Sequence, residues 1–190
     1  QGGWETLVGQ TRLRLEGEQV RPQPGEGDPW HAWRGRAEQP LGRYTLAAEV
    51  GREVHPDVTR GASPTSWRAV ERWPEVSLRG PLAVGPLPAL ELTLSAGRLR
   101  EERPGGGELE SWRATGSLGL PTRSVPLGER SSLFFSGGGT VRAYGTGDRQ
   151  LVWQGQAGWR WRPGPVTLEL RYQDRAVWGA SPFRFDQVSP

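Results

Sequence analysis

The residues most able to do chemistry in this chain are few and scattered. His31 lies near Asp28, and His55 precedes Asp57 in a His-x-Asp spacing that could supply two metal ligands. Tetrahedral sites need a third protein ligand, and none stands close in sequence, so a loop is the stronger reading. No metal and no cofactor are expected. Ser63 and Ser66 follow His55, but no Gly-x-Ser-x-Gly elbow is present to raise a nucleophile. Gly137-Gly138-Gly139 lacks the lysine and helix of a phosphate-binding loop. Such a glycine run suits close packing or curvature within a strand. The carboxylate pairs Glu101/Glu102 and Glu108/Glu110 sit beside turns and are expected to be solvated. No catalytic constellation emerges, and the chain is not expected to be an enzyme.

The charged residues say more. Lys and Arg together number 24, all of them arginine, against 21 Asp and Glu, for a net charge of +3. The pI of about 10.1 reflects guanidinium groups that do not titrate in the ordinary range. Nucleic-acid binders gather positive charge into one patch. Here arginines alternate with glutamates along the whole length, so no nucleic-acid partner is expected.

Those charges sit on segments of strict alternation. In Leu151 to Arg162, one face carries Leu151, Trp153, Ala157, Trp159 and Trp161, and the other carries Gln154, Gln156, Arg160 and Arg162. A period of two defines a β-strand with one apolar and one polar face. Roughly twelve residues is long for a globular strand and suits a tilted crossing of a bilayer. Similar alternation predicts strands over Glu5 to Gly17, Trp30 to Glu38, Tyr44 to Gly51, Leu90 to Gly97, Trp112 to Leu120, Leu133 to Tyr144 and Val166 to Gln173. Trp73-Pro74 introduces a further one through Val76 and Leu78. Arg21 to Pro29, His55 to Ser66, Pro104 to Gly107, Gly145 to Asp148 and Arg162 to Pro165 read as turns or loops.

The fold class that follows is all-β, one domain over residues 1–190. It is an antiparallel up-and-down transmembrane barrel of about eight to ten strands, or the C-terminal section of a larger one. Mean hydropathy is −0.63, too low for a membrane helix, yet a barrel needs only alternate residues to be apolar. With 28 glycines and 17 prolines, no cysteine and ten tryptophans, the chain reads as turn-rich rather than disordered. It begins at Gln1 without an initiator methionine, which suggests processing or a piece of a longer protein.

In a membrane barrel the apolar face meets lipid and the polar face lines the lumen. The expected lipid-facing and girdle residues are Tyr44, Leu92, Trp153, Trp159, Trp161, Leu170, Tyr172 and Trp178. The expected polar wall is Glu91, Arg113, Arg160, Arg162, Glu169 and Arg171. As a cationic wall it would favour anionic solutes or head groups. As a ladder of Arg–Glu pairs it would fill and stabilise a narrow lumen. The alternative is a soluble or periplasmic lipocalin-like barrel that turns the same apolar residues inward around an apolar ligand.

Three stretches resemble the outer-membrane lipopolysaccharide-assembly family (LptD/OstA-like barrels). Arg72-Trp73-Pro74-Glu75-Val76-Ser77-Leu78 is similar to a family strand start. Trp112 through Pro121 is similar to a strand that ends at proline. Leu168 to Tyr172, followed by Trp178 through Asp186, resembles the closing strand and its Ser/Thr-Pro-Phe-x-Phe-Asp tail. The resemblance implies an outer-membrane location and a structural or transport role in envelope assembly, with passage of lipid, glycan or small anionic solutes. It also implies membrane lipid, other envelope proteins or the remainder of a larger barrel as partners. Family barrels hold more strands and a periplasmic jellyroll domain, so this chain would be a C-terminal piece or a small relative.

Overall fold

A computed structural model describes residues 2–20, 30–55, 57, 66–83, 85 and 89–188. Among these described residues ten strands follow one another: β1 (Gly2–Val8), β2 (Thr11–Val20), β3 (Trp30–Leu41), β4 (Tyr44–Val54), β5 (Ala69–Leu82), β6 (Leu90–Glu102), β7 (Glu108–Pro126), β8 (Ser131–Tyr144), β9 (Arg149–Trp161) and β10 (Leu168–Gly179). Each pairs with the next in one antiparallel up-and-down sheet. The sheet is open: β1 and β10 are its two edges. No helix of the described residues is long and apolar enough to cross a membrane, which says nothing about strands.

The alternation read from sequence becomes two faces through the pairing register. One row runs Leu46, Leu78, Leu94, Gly116, Val141, Leu151, Trp178, apolar from β4 to β10. The next row, one residue along each strand, runs Ala47, Ser77, Ser95, Thr115, Arg142, Gln150, Gly179. Successive side chains on a strand point to opposite faces, so the first row lies on one face and the second on the other.

Several elements differ from expectation. Glu5 to Gly17 is not one strand but a hairpin, because Gly9 takes a left-handed φ of 64° and opens a two-residue turn before Thr11. Trp73-Pro74 does not begin a strand: β5 already starts at Ala69, and its register with β6 shifts between Arg72 and Glu75. Pro121 does not end a strand either: β7 continues to Pro126, with a shift between Leu120 and Arg123. Both prolines therefore occupy β-bulges, where the missing N–H breaks no ladder bond. The Arg21 to Pro29 turn lies outside the described residues, as does most of His55 to Ser66.

After β10 the chain reverses at Gly179, whose φ is 74°. A Cβ there would collide with the carbonyl oxygen of Arg149. The tail that follows packs on the polar face, called the inner face below, and ends in a 3-10 turn, Arg184–Asp186. The compact core lies between tail and sheet: Phe183 packs with Leu99 and Tyr144, flanked by Leu109 and Phe185.

The sheet is strongly staggered. The row through all ten strands runs Leu7, Arg12, Glu38, Ala47, Ser77, Ser95, Thr115, Arg142, Gln150, Gly179. It leaves β1 one residue from its last and reaches β10 at its last. Because those two strands run in opposite directions, the row climbs from one end of the sheet to the other.

Candidate functional site

The inner face has three zones. Across β6 to β8 the tail is held by charge. Asp186 accepts hydrogen bonds from Arg113 Nη1 and from the Tyr144 hydroxyl, both at 2.9 Å to Oδ2, and lies 3.5 Å from Arg142 Nε. Arg113 uses its other nitrogen to reach Glu75 Oε1 at 2.8 Å, and Ser95 donates to the same oxygen at 3.0 Å. Deeper at this end, Glu101 is wholly buried. Its two oxygens accept from Arg103 Nε at 2.8 Å and from the Phe185 N–H at 2.9 Å. Arg103 also donates to the Pro182 carbonyl at 2.6 Å. Glu101 was expected to be solvated; it is buried because the tail folds back over it and Arg103 neutralises its charge. A buried carboxylate needs such pairing.

The second zone is the inner face of β1 to β4, where side chains alternate in sign. Arg36 reaches Glu38 at 2.9 Å and Glu49 at 3.4 Å, Arg34 lies 3.4 Å from Glu49, and Arg12 lies 3.5 Å from Glu5. A cleft of about 260 Å³ runs between these groups.

The third zone is a cleft of about 940 Å³ over β6 to β10, lined among others by Ser117, Gly119, Ser136, Gly138 and Gln154. Its middle is built of hydroxyls, amides and glycine, and Glu91, Arg142 and Arg175 also line it. Ser117 and Thr140 share a hydrogen bond of 3.0 Å, Gln156 donates to Ser136 at 2.9 Å, and Gln173 donates to Gln156 at 3.2 Å. Gly138 is required where β7 and β8 press together, since a Cβ would stand 2.8 Å from the Leu118 carbonyl oxygen. Val188 of the tail lines the same cleft.

Five of the six residues expected on the polar wall lie on the inner face, but not together. Glu91 borders this cleft. Arg113 belongs to the tail cluster. Arg160, Glu169 and Arg171 form a separate group at the opposite end. There Glu169 accepts from Arg160 at 2.8 Å and from Arg171 at 2.7 Å, and both guanidiniums lie over the Phe134 ring at 5.5 and 5.7 Å. Arg162 lies past the end of β9; it is exposed, and its N–H donates to the Arg130 carbonyl at 2.8 Å. It is not on the wall because β9 ends one residue earlier.

Tyr44, Leu92, Trp153, Trp159, Trp161, Leu170, Tyr172 and Trp178 all fall on the outer face by register. Trp159 and Trp161 stack at 6.0 Å. None of the ten tryptophans is buried, and seven are among the exposed large hydrophobics. At the tail end this face changes character. Trp33 meets Trp73 edge-on at 5.5 Å and Trp112 is exposed, and beyond them come the pairs Arg98–Glu110 and Arg100–Glu108.

His55 is a loop residue: its Nδ1 accepts from the Asp57 N–H at 3.1 Å and its ring meets Trp67 edge-on. Among the described residues no group of three His, Cys, Asp or Glu could hold a metal ion. The residues that sequence reasoning missed are Glu75, Glu101, Arg103, Arg142, Tyr144 and Asp186. The signal that could have found them is the tail itself, with two phenylalanines and an aspartate after a strand-ending glycine. Comparison with protein-family models, with curated proteins and with solved structures finds no match.

Proposed function

We propose that the chain forms wall of an outer-membrane β-barrel of the lipopolysaccharide-assembly type, with a structural or transport role in the cell envelope and lipid as its immediate partner. The observation that carries this reading is the outer face. It presents an apolar band that no other described element covers, with seven exposed tryptophans and with arginine–glutamate pairs beyond the aromatic border. A contiguous exposed apolar surface of this extent marks a membrane or an interaction face. Aromatic residues at its border suit the interfaces of a bilayer.

The inner face supports the same reading from the other side. A lipocalin-like interior would need apolar side chains there. The inner rows carry instead paired charges, hydroxyls, amides and glycine, as a lumen wall does. The passage in this reading is passive, with cargo steered by fixed polar side chains. Lipid, glycan and small anionic solutes remain the cargo classes of this reading.

The test is to purify the chain in buffer and in detergent micelles and compare far-ultraviolet circular dichroism, size-exclusion profile and electrophoretic mobility before and after boiling. Aggregation in buffer with a β-rich, heat-modifiable species in detergent is the expected result. A monodisperse β-rich monomer in plain buffer overturns the membrane reading.

A further inference from the structure

We infer that β1 closes the sheet by pairing with β10 of the same chain, displaced by ten residues, so that Glu5 faces Arg171. The inference rests on the membrane reading above, because hydrocarbon tolerates no unpaired strand edge. Both edges show what is missing. Five of the six most exposed large hydrophobics, Leu170 (70%), Tyr172 (68%), Leu7, Val8 and Trp4, lie on β1 or β10.

The stagger dictates which residues can meet. Along the ten-strand row Leu7 is level with Gly179, so residues of β1 and β10 on one row have numbers that sum to 186. A closed sheet needs tilted strands and a fixed displacement of that row. The displacement must be even, because an odd one would turn the apolar face of one edge against the polar face of the other.

Even displacements of six, eight and ten all hold β1 within β10; six would set Thr6 against Asp174, whereas at ten Val8 stands opposite Leu168 and Gly2 opposite Asp174. The outer face then continues unbroken, with Thr6 beside Leu170 and Trp4 beside Tyr172. On the inner face the Glu5 carboxylate meets the Arg171 guanidinium. Both side chains are about half exposed in the open sheet, at 51% and 49%, so each can turn toward the other while sharing or giving up its present partner, Arg12 for Glu5 and Glu169 for Arg171. A displacement of eight sets Trp4 against Asp174. One of twelve carries Val8 past the start of β10 and sets Glu5 against Glu169, a like-charge pair that costs stability.

The chain has no cysteine, so introduced pairs report without background. The double variants Gly3→Cys/Gln173→Cys and Glu5→Cys/Arg171→Cys test a displacement of ten. Glu5→Cys/Gln173→Cys and Glu5→Cys/Glu169→Cys test eight and twelve. Each is folded in detergent micelles, oxidised and run without reductant, with and without boiling. Directly opposed residues across an antiparallel pair lie within the Cα range a disulfide spans. The expected result is efficient cross-linking inside the monomer for the first two variants and little for the others.

Preferential cross-linking of a shifted pair overturns the register. A cross-linked dimer assigns the edges to a second copy and overturns closure within one chain. A heat-modifiable species in which no pair cross-links leaves the membrane reading standing and overturns the closure. Loss of the heat-modifiable species already in the cysteine-free chain removes the membrane reading itself.

Discussion

The two halves of the inner face solve the same problem with different chemistry. From β1 to β4 the inner face is rich in long arginines and glutamates, most of which have a partner of opposite sign within about 3.5 Å, as in Arg36 with Glu38 and Glu49. Between the charged ends of β6 to β10 the middle of the inner face is built from Ser117, Gly119, Ser136, Gly138, Gln154 and Gln156, and a cleft of about 940 Å³ opens above it. Charge in the first half fills space; glycine in the second half creates it. One alternating pattern can therefore specify either a packed wall or an open trough. The size of the polar residue decides which.

The tail cluster stands between the halves, and breaking it should have the largest effect. Arg113 is 12% exposed and Asp186 8%, so their pairing is largely withdrawn from water. Arg113→Ala leaves Asp186 and Glu75 without their main counter-charge and should destabilise the fold by about 3–5 kcal/mol. Urea titration in detergent, followed by tryptophan fluorescence, checks it; a midpoint within error of the parent removes the cluster from any structural role.

Next in size is the outer face, which both halves share. Leu92→Arg should cost a membrane-spanning wall about 2–4 kcal/mol. The size of the loss should depend on the thickness of the micelle or bilayer used, read as the temperature at which heat-modified mobility appears. Independence from thickness would tell against lipid contact at this position.

The trough gives a smaller and sharper comparison. Gly138→Ala brings a Cβ to 2.8 Å from a backbone oxygen, whereas Gly119→Ala meets nothing within 4 Å. Overpacking of this kind costs about 1–3 kcal/mol, so the first variant should lose that much and the second should be nearly neutral. Equal losses in paired denaturation curves would mean that β7 and β8 do not approach as closely as drawn. The charged half should be the most forgiving. Arg12→Ala removes an exposed pair worth less than about 1 kcal/mol, and the small loss should vanish in high salt. A loss of the size expected for Arg113 would show that the charged half is as withdrawn from water as the tail cluster.

Much of this architecture was legible in the chain. Alternation in Leu90 to Gly97 and Leu151 to Arg162 was enough to find β6 and β9 and to separate the two faces, because a side-chain period of two survives any tertiary context. The bulges were not legible. Pro74 and Pro121 read as boundaries, since proline cannot donate to a ladder, and only the pairing shows that a bulge absorbs each of them. Gly9 was lost for the opposite reason: a two-residue turn hardly interrupts the pattern. Glu101 misled because two acidic residues beside a turn look solvated until a segment some eighty residues later is laid over them. Arg113 was identified as a wall residue, but its partners Asp186 and Glu75 are distant in sequence and no local spacing announces them.

That distance has a consequence in time. The side-chain bonds that seat the tail on the strands and on Ser66 join residues separated by 42 to 118 positions, among them Tyr144 with Asp186, Arg113 with Asp186 and Arg184 with the Ser66 carbonyl. Contacts so remote carry the highest entropic cost of closure and form late. The tail is also synthesised after all ten described strands, and its seat is not complete until β5 to β8 are already side by side. The order of events is therefore written into the connectivity: meander first, keystone last. A chain halted before Gly179 would hold Glu101 and Arg113 as uncovered charges in a wall that has no means of burying them.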